Sequence, residues 1–249
     1  MTPFLVVGMP RTGSTLLTTA LEQHPDVLML SELFHWVTSE RTGRHGFVWK
    51  GRRTAYDGKE DALAFLRRTV WSDHGKAAAG FKLFAEHLEC PGTERLFERI
   101  RDEVPGLRVV HAVRNPLDCW ASRAAATATR EWEATAASER NNLRLRANPR
   151  LVRRFLRDYE RANTAMAQLF AGAGYLRVEY DDLATRFDET VAGVVAFLGL
   201  RPCEVRPARR KQRGVSTADQ VENYAELRAA FAGTRFAALF GEPAAVGDG

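Results

Sequence analysis

Eight residues near the start of the chain, GMPRTGST from Gly8 to Thr15, have the types and spacing to hold a phosphate group. G-x-x-x-x-G followed by two polar positions is the spacing of a nucleotide-binding loop. Such a loop works because successive backbone N–H groups and a helix N-terminus point at one anion. Gly8 and Gly13 allow the turn and a close backbone approach, and Thr15 adds a hydroxyl. ATP-using loops carry a lysine beside that hydroxyl to balance the β- and γ-phosphates. Here Ser14 stands in its place, and the cation inside the loop is Arg11, whose guanidinium can fork onto two anionic oxygens. From spacing alone, an ordinary strand–turn–helix with a surface arginine competes with the phosphate loop.

A second group with anion chemistry lies about a hundred residues on, in RNPLDCWASR, residues 114–123. It follows LRVVHAV, 107–113, which reads as a strand, so Arg114 stands at a strand's carboxyl end. Ligands of open parallel sheets bind outside those ends. Ser122 falls in the second turn of the next helix. A charge-assisted contact from Arg114 with a hydroxyl from Ser122 suits a second phosphate. Alone, the pair reads as simply as a surface arginine and a helix serine.

The segments that must position these residues alternate in type. FLVV, 4–7, is a short continuous apolar run ending at Gly8, as expected of a strand buried on both faces. Ser14 to Gln23 turns helical, with Leu16, Leu17 and Leu21 on one side, and His24-Pro25 ends it. VLML (27–30), GFKLF (80–84) and YLRVEY (175–180) read as further strands. Helices are expected over 61–71, 93–104, from Asn115-Pro116 onward, over 150–171, and around Val191 to Leu198, where Gly199 ends the last. In the 150–171 helix, Val152, Phe155, Leu156, Tyr159, Met166 and Phe170 form the apolar stripe. Residues 40–58, with four glycines and five Lys/Arg, read as a mobile loop, and the tail from Gly241 as frayed. The alternation predicts a three-layer α/β domain of P-loop type, with a mostly parallel central sheet flanked by helices, over residues 1–249.

PRTGST, Pro10 to Thr15, resembles the 5′-phosphosulfate loop of sulfotransferases that use 3′-phosphoadenosine-5′-phosphosulfate (PAPS). The resemblance implies that Pro10, Arg11, Thr12, Gly13, Ser14 and Thr15 hold the donor's 5′-phosphate and sulfate, with Arg11 stabilising the sulfuryl group in flight. Strand, Arg-Asn-Pro, then Ser eight residues after the arginine is similar to that family's 3′-phosphate motif, which implies that role for Arg114 and Ser122. ATP lacks this phosphate. LRVEYDDLATRF, from Leu176, resembles the family's closing Tyr-Asp-Asp-Leu unit, and is expected to be structural. ARRKQRG, from Ala208, resembles the basic segment that folds over the donor. Arg210 and Lys211 would contact the nucleotide there, although Gln212 replaces the usual glycine of the triplet.

Transfer to a hydroxyl needs in-line positioning, charge stabilisation and a base. The start of the chain looks most like the bacterial trehalose and nodulation-factor sulfotransferases, in which a glutamate follows the short second strand, as Glu32 does here. His87, after the GFKLF strand, is the rival base, with the better unperturbed pKa. Lys82 has either a place facing the crevice or one at a sheet edge. Trp36, Trp49 and Tyr56 suit an acceptor lid over a sugar or other polar acceptor, and suit plain packing equally.

Net charge is +5, from 36 Lys+Arg against 31 Asp+Glu, which favours an anionic partner without the clustered basic motif of a nucleic-acid binder. Three cysteines in no metal-like spacing give neither a disulfide framework nor a zinc site, and fit a cytoplasmic protein that requires no metal. No stretch approaches the about 18 apolar residues of a membrane helix, so membrane insertion is not expected. The expected ligands are the PAPS donor, its product adenosine 3′,5′-bisphosphate (PAP), and a small-molecule or glycan acceptor, with homo-oligomerisation left open. A P-loop small-molecule kinase and a basic nucleic-acid-binding module are the alternatives.

Overall fold

Seven strands are found among the described residues: β1 (Thr2–Gly8), β2 (Val27–Glu32), β3 (Phe47–Trp49), β4 (Arg52–Thr54), β5 (Ala78–Phe84), β6 (Arg108–Val113) and β7 (Tyr175–Glu179). The computed structural model describes residues 1–34, 47–49, 52–54, 56, 60–84, 86, 93, 95–132, 143–172, 174–207 and 216–241. The helices are α1 (Ser14–Leu21), α2 (Ala62–Thr69), α3 (Leu96–Glu103), α4 (Pro116–Thr129), α5 (Pro149–Phe170), α6 (Tyr180–Thr185), α7 (Phe187–Phe197), α8 (Thr217–Gln220) and α9 (Tyr224–Phe231). The chain divides into two compact units, Met1–Val113 with Asn163–Ala208, and Arg114–Ala162 with Arg209–Gly249.

The first unit is built on a parallel sheet of order β2-β5-β1-β6-β7. Parallel strands need helical crossovers, and these cover both faces. Phe4, Leu5, Val6 and Val7 in β1 are all fully buried, as the unbroken apolar run predicts. Their alternate side chains feed two cores. Leu5 and Val7 pack with Leu28, Leu30, Phe81, Leu83 and the apolar side of α2, whereas Phe4 and Val6 pack with Leu17, Leu21 and residues of α7. The result is the expected three-layer α/β arrangement.

Within the segment read as a loop, β3 and β4 pair antiparallel, which its glycine content had hidden; the other residues of 40–58, Tyr56 excepted, lie outside the described residues. Tyr56 is 4% exposed and packs at an angle against Phe34 and edge-on against Phe65, and its hydroxyl donates to the Glu60 carbonyl at 2.8 Å. It belongs to the core. Tyr180, read as the end of a strand, instead opens α6. The tail from 242 lies outside the described residues.

The second unit gathers α4, the first part of α5, α8 and α9 around Leu117, Val152, Leu156, Leu227, Phe231 and Phe240. Asn115 caps α4 by accepting the Leu117 N–H at 2.8 Å, with Pro116 at the first helical position, as the sequence predicts. Among the described residues no helix is long and apolar enough to cross a membrane.

A polar triad is sunk into the first unit's core. His111 of β6 is 1% exposed; its Nδ1 lies 2.7 Å from the Tyr175 hydroxyl and its Nε2 3.0 Å from Asn163 Oδ1. Asn163 Oδ1 can only accept, so Nε2 carries the proton and Nδ1 accepts from Tyr175. Burial pushes the His111 pKa down to about 4. An unfolded chain, with histidine near 6.5, therefore binds a proton before the native state does, and stability falls as pH drops from about 6.5 towards 4. His111→Gln should flatten this slope: urea unfolding at pH 7 and pH 4.5 should show about 2–3 kcal/mol less acid loss than wild type.

Candidate active site

The phosphate loop forms where β1 meets α1. Gly8, at φ 154°, lies so close to β6 that a Cβ would sit 2.5 Å from the Ala112 carbonyl oxygen. The loop then turns through Arg11 at φ 73°, a left-handed backbone that costs a non-glycine residue of order 1 kcal/mol. The buried Thr12 hydroxyl donates to the Met9 carbonyl at 2.8 Å and closes the turn. Gly13, at φ 83°, is the N-cap of α1 and provides no side-chain cap. The first N–H groups of a helix have no intrahelical partner, so this end offers donors and the positive end of a helix dipole to an anion. Ser14 is buried and Thr15 exposed.

A lysine enters this loop from a neighbouring strand. Lys82 of β5 is 5% exposed and its ammonium donates to Thr15 Oγ1 at 3.3 Å. The same Nζ is 2.6 Å from Glu32 Oε1 and 5.3 Å from the centroid of the Phe84 ring. β5 lies between β1 and β2, so Lys82 stands inside the sheet, not at its edge. Glu32 reaches it through an irregularity in β2, where Leu30 is opposite Phe81 and Glu32 is opposite Lys82, with Ser31 the extra residue. Strict alternation would put Glu32 on the face of Leu28 and Leu30, away from Lys82. The bulge turns it over. Glu32, Lys82 and Thr15 thus form a line of contacts from the end of β2 to the phosphate loop.

Tyr180 braces the loop. A Cβ on Gly13 would lie 2.5 Å from Cδ2 of the Tyr180 ring, so the Tyr-Asp-Asp-Leu unit packs directly on the glycine of the motif. Arg114 follows β6 immediately; the Tyr159 hydroxyl accepts its N–H at 3.2 Å and donates to its carbonyl at 2.9 Å. Ser122 lies half-buried on α4. The Thr217 hydroxyl donates to Asp118 in the first turn of α4, anchoring the residues after the basic segment. Arg210 and Lys211 in that segment, and His87, lie outside the described residues. Among the described residues, no three His, Cys, Asp or Glu side chains are gathered to hold a metal ion.

A sequence profile described as the sulfotransferase family matches residues 3–204. The chain belongs to the sulfotransferase family. Nodulation protein H of Rhizobium tropici is 26% identical over 251 residues, covering 96% of this chain and 92% of that protein. Nodulation protein H of Rhizobium meliloti (strain 1021) is 25% identical, covering 96% and 94%. The crystal structure of a sulfotransferase from Alicyclobacillus acidocaldarius superposes with a TM-score of 0.54 at 20% identity, over 93% of this chain and 92% of that one, and shares its fold. The chain is an enzyme, a sulfotransferase with the expected bacterial-type relatives and α/β fold.

Of the contacts found at this sulfotransferase's loop, those of Lys82 and Tyr180 were not evident from residue spacing. Lys82 is one polar residue in an apolar strand, and its pairing with Glu32 depends on a one-residue bulge that leaves no mark in the sequence. The Tyr180 contact makes a steric prediction. Gly13→Ala should lower stability by about 2 kcal/mol through its positive φ and the ring collision. Adding Tyr180→Ala should make the pair's combined loss smaller than the sum of the single losses in thermal unfolding, because only the collision is shared.

Proposed function

We propose that the chain transfers a sulfuryl group from PAPS to a hydroxyl, with an amine as the less favoured acceptor, of a carbohydrate, lipid or secondary metabolite. The observation that carries this reading is the Glu32–Lys82–Thr15 line, which joins a candidate base to the phosphate loop through a buried cation. The uncapped N-terminus of α1 and the left-handed turn at Arg11 fit a multiply charged group at the loop.

In this reading the residues from Pro10 to Thr15 hold the 5′-phosphate and sulfate, and Arg114 and Ser122 take the 3′-phosphate. The acceptor oxygen attacks sulfur, forming an O–S bond as the bond from sulfur to the 5′-phosphate oxygen breaks. Glu32 removes the acceptor's proton, and the electron pair of the broken bond leaves on the phosphate oxygen of PAP. Lys82 and Arg11 balance the charge that grows on the sulfuryl and leaving oxygens, the usual largest contribution of such a site. Arg210 and Lys211 are assigned to the nucleotide's phosphates. The reading requires no metal, no nucleic acid and no membrane insertion, and places the enzyme in the cytoplasm. His87 is the replacement base should Glu32 fail.

A thermal-shift comparison tests the donor. PAP should raise the midpoint by several degrees, and ATP with Mg²⁺ much less; stabilisation by ATP alone points to a kinase instead. Glu32→Gln should reduce turnover by at least a hundredfold with any accepted acceptor while PAP affinity changes by less than about threefold, the range expected of a lost general base. Turnover within a few-fold of wild type would move the base to His87.

A further inference from the structure

We infer that Tyr159 is the positioning residue for Arg114: its hydroxyl fixes the backbone from which the guanidinium reaches the donor's 3′-phosphate. The inference rests on the donor reading above. Tyr159, on α5, is 2% exposed and its ring packs beside Phe155 with centroids 6.1 Å apart. Its hydroxyl meets both peptide groups of one residue, accepting from the Arg114 N–H at 3.2 Å and donating to the Arg114 carbonyl at 2.9 Å. The Cys119 thiol, fully buried on α4, also faces this oxygen at 3.7 Å. One donated proton and two accepted ones are what a phenol can offer.

The position explains the need. β6 ends at Val113 and α4 starts at Pro116 behind the Asn115 cap, so Arg114 lies between two regular elements. Peptide groups in such a junction must find a side chain or water, and an unsatisfied buried one costs about 1–3 kcal/mol. Water would satisfy them without fixing them. A tyrosine on a long helix satisfies both from a rigid ring with only two side-chain torsions. It also ties Arg114 to α4, the helix that carries Ser122, through Cys119. A guanidinium on a fixed backbone loses less freedom when it engages an anion, and affinity gains accordingly.

The test is calorimetric titration of Tyr159→Phe, Arg114→Ala and the double variant with PAP and with AMP, which lacks the 3′-phosphate. Tyr159→Phe keeps the ring but removes both hydrogen bonds to Arg114; it should weaken PAP about tenfold, while AMP changes less than about twofold. In the Arg114→Ala background it should cause no further loss for PAP, because its effect passes through Arg114. If Arg114→Ala leaves the preference for PAP over AMP intact, the 3′-phosphate assignment falls and this inference falls with it. If Arg114→Ala removes the preference but Tyr159→Phe keeps it, or weakens both nucleotides equally, the inference alone is overturned.

Discussion

A buried ammonium constrains much of the first unit. Lys82 is 5% exposed on an inner strand, where an unpaired charge costs several kcal/mol even after relaxation. It is tolerable only with a close counter-charge and a further acceptor, and both are present: Glu32 at 2.6 Å and Thr15 at 3.3 Å. Each imposes a condition on the chain. Thr15 must stand in the first turn of α1, which requires the tight loop through Gly8 and Gly13. Glu32 must face the α1 side of the sheet, which requires the bulge at Ser31. The loop and the candidate base are therefore parts of one electrostatic arrangement.

This arrangement moves the cation of a phosphate loop from the loop to a neighbouring strand. A lysine at Ser14 would sit at the N-terminus of α1 and have its place set by the helix. Lys82 instead has its place set by sheet register, one strand from β1 on one side and one from β2 on the other. That location lets one cation touch both the loop hydroxyl and the carboxylate. Loss of either contact would leave the buried ammonium one partner short, at a cost to stability.

The sequence conveyed the elements better than their couplings. FLVV, the α1 leucines, Asn115-Pro116 and the α5 stripe are local patterns, and each forms the strand, cap or buried face that its period or residue type predicts. Local patterns also marked Gly8 to Thr15 as a turn into a helix. They were silent on β3 and β4, whose three-residue strands are too short to show alternation. They were equally silent on Lys82 with Glu32, separated by 49 intervening residues and joined by a register shift, and on Tyr159 with Arg114, joined across 45 positions. Spacing finds what one element does; which elements meet is decided by packing.

Helix α5 shows why such partners hide inside an apolar stripe. Tyr159 and Asn163 are one turn apart on its buried side, between Leu156 and Met166. A hydrophobic period counts Tyr159 as core and takes Asn163 as an interruption. Each nevertheless satisfies a specific polar group next to β6: Tyr159 the peptide of Arg114, and Asn163 the ring of His111. These bonds are part-buried, and a polar group left unpaired away from water costs more than one in solvent. The stripe that makes the helix pack thus also carries two polar members, each of which fixes a partner within its own unit, Asn163 in the first and Tyr159 in the second.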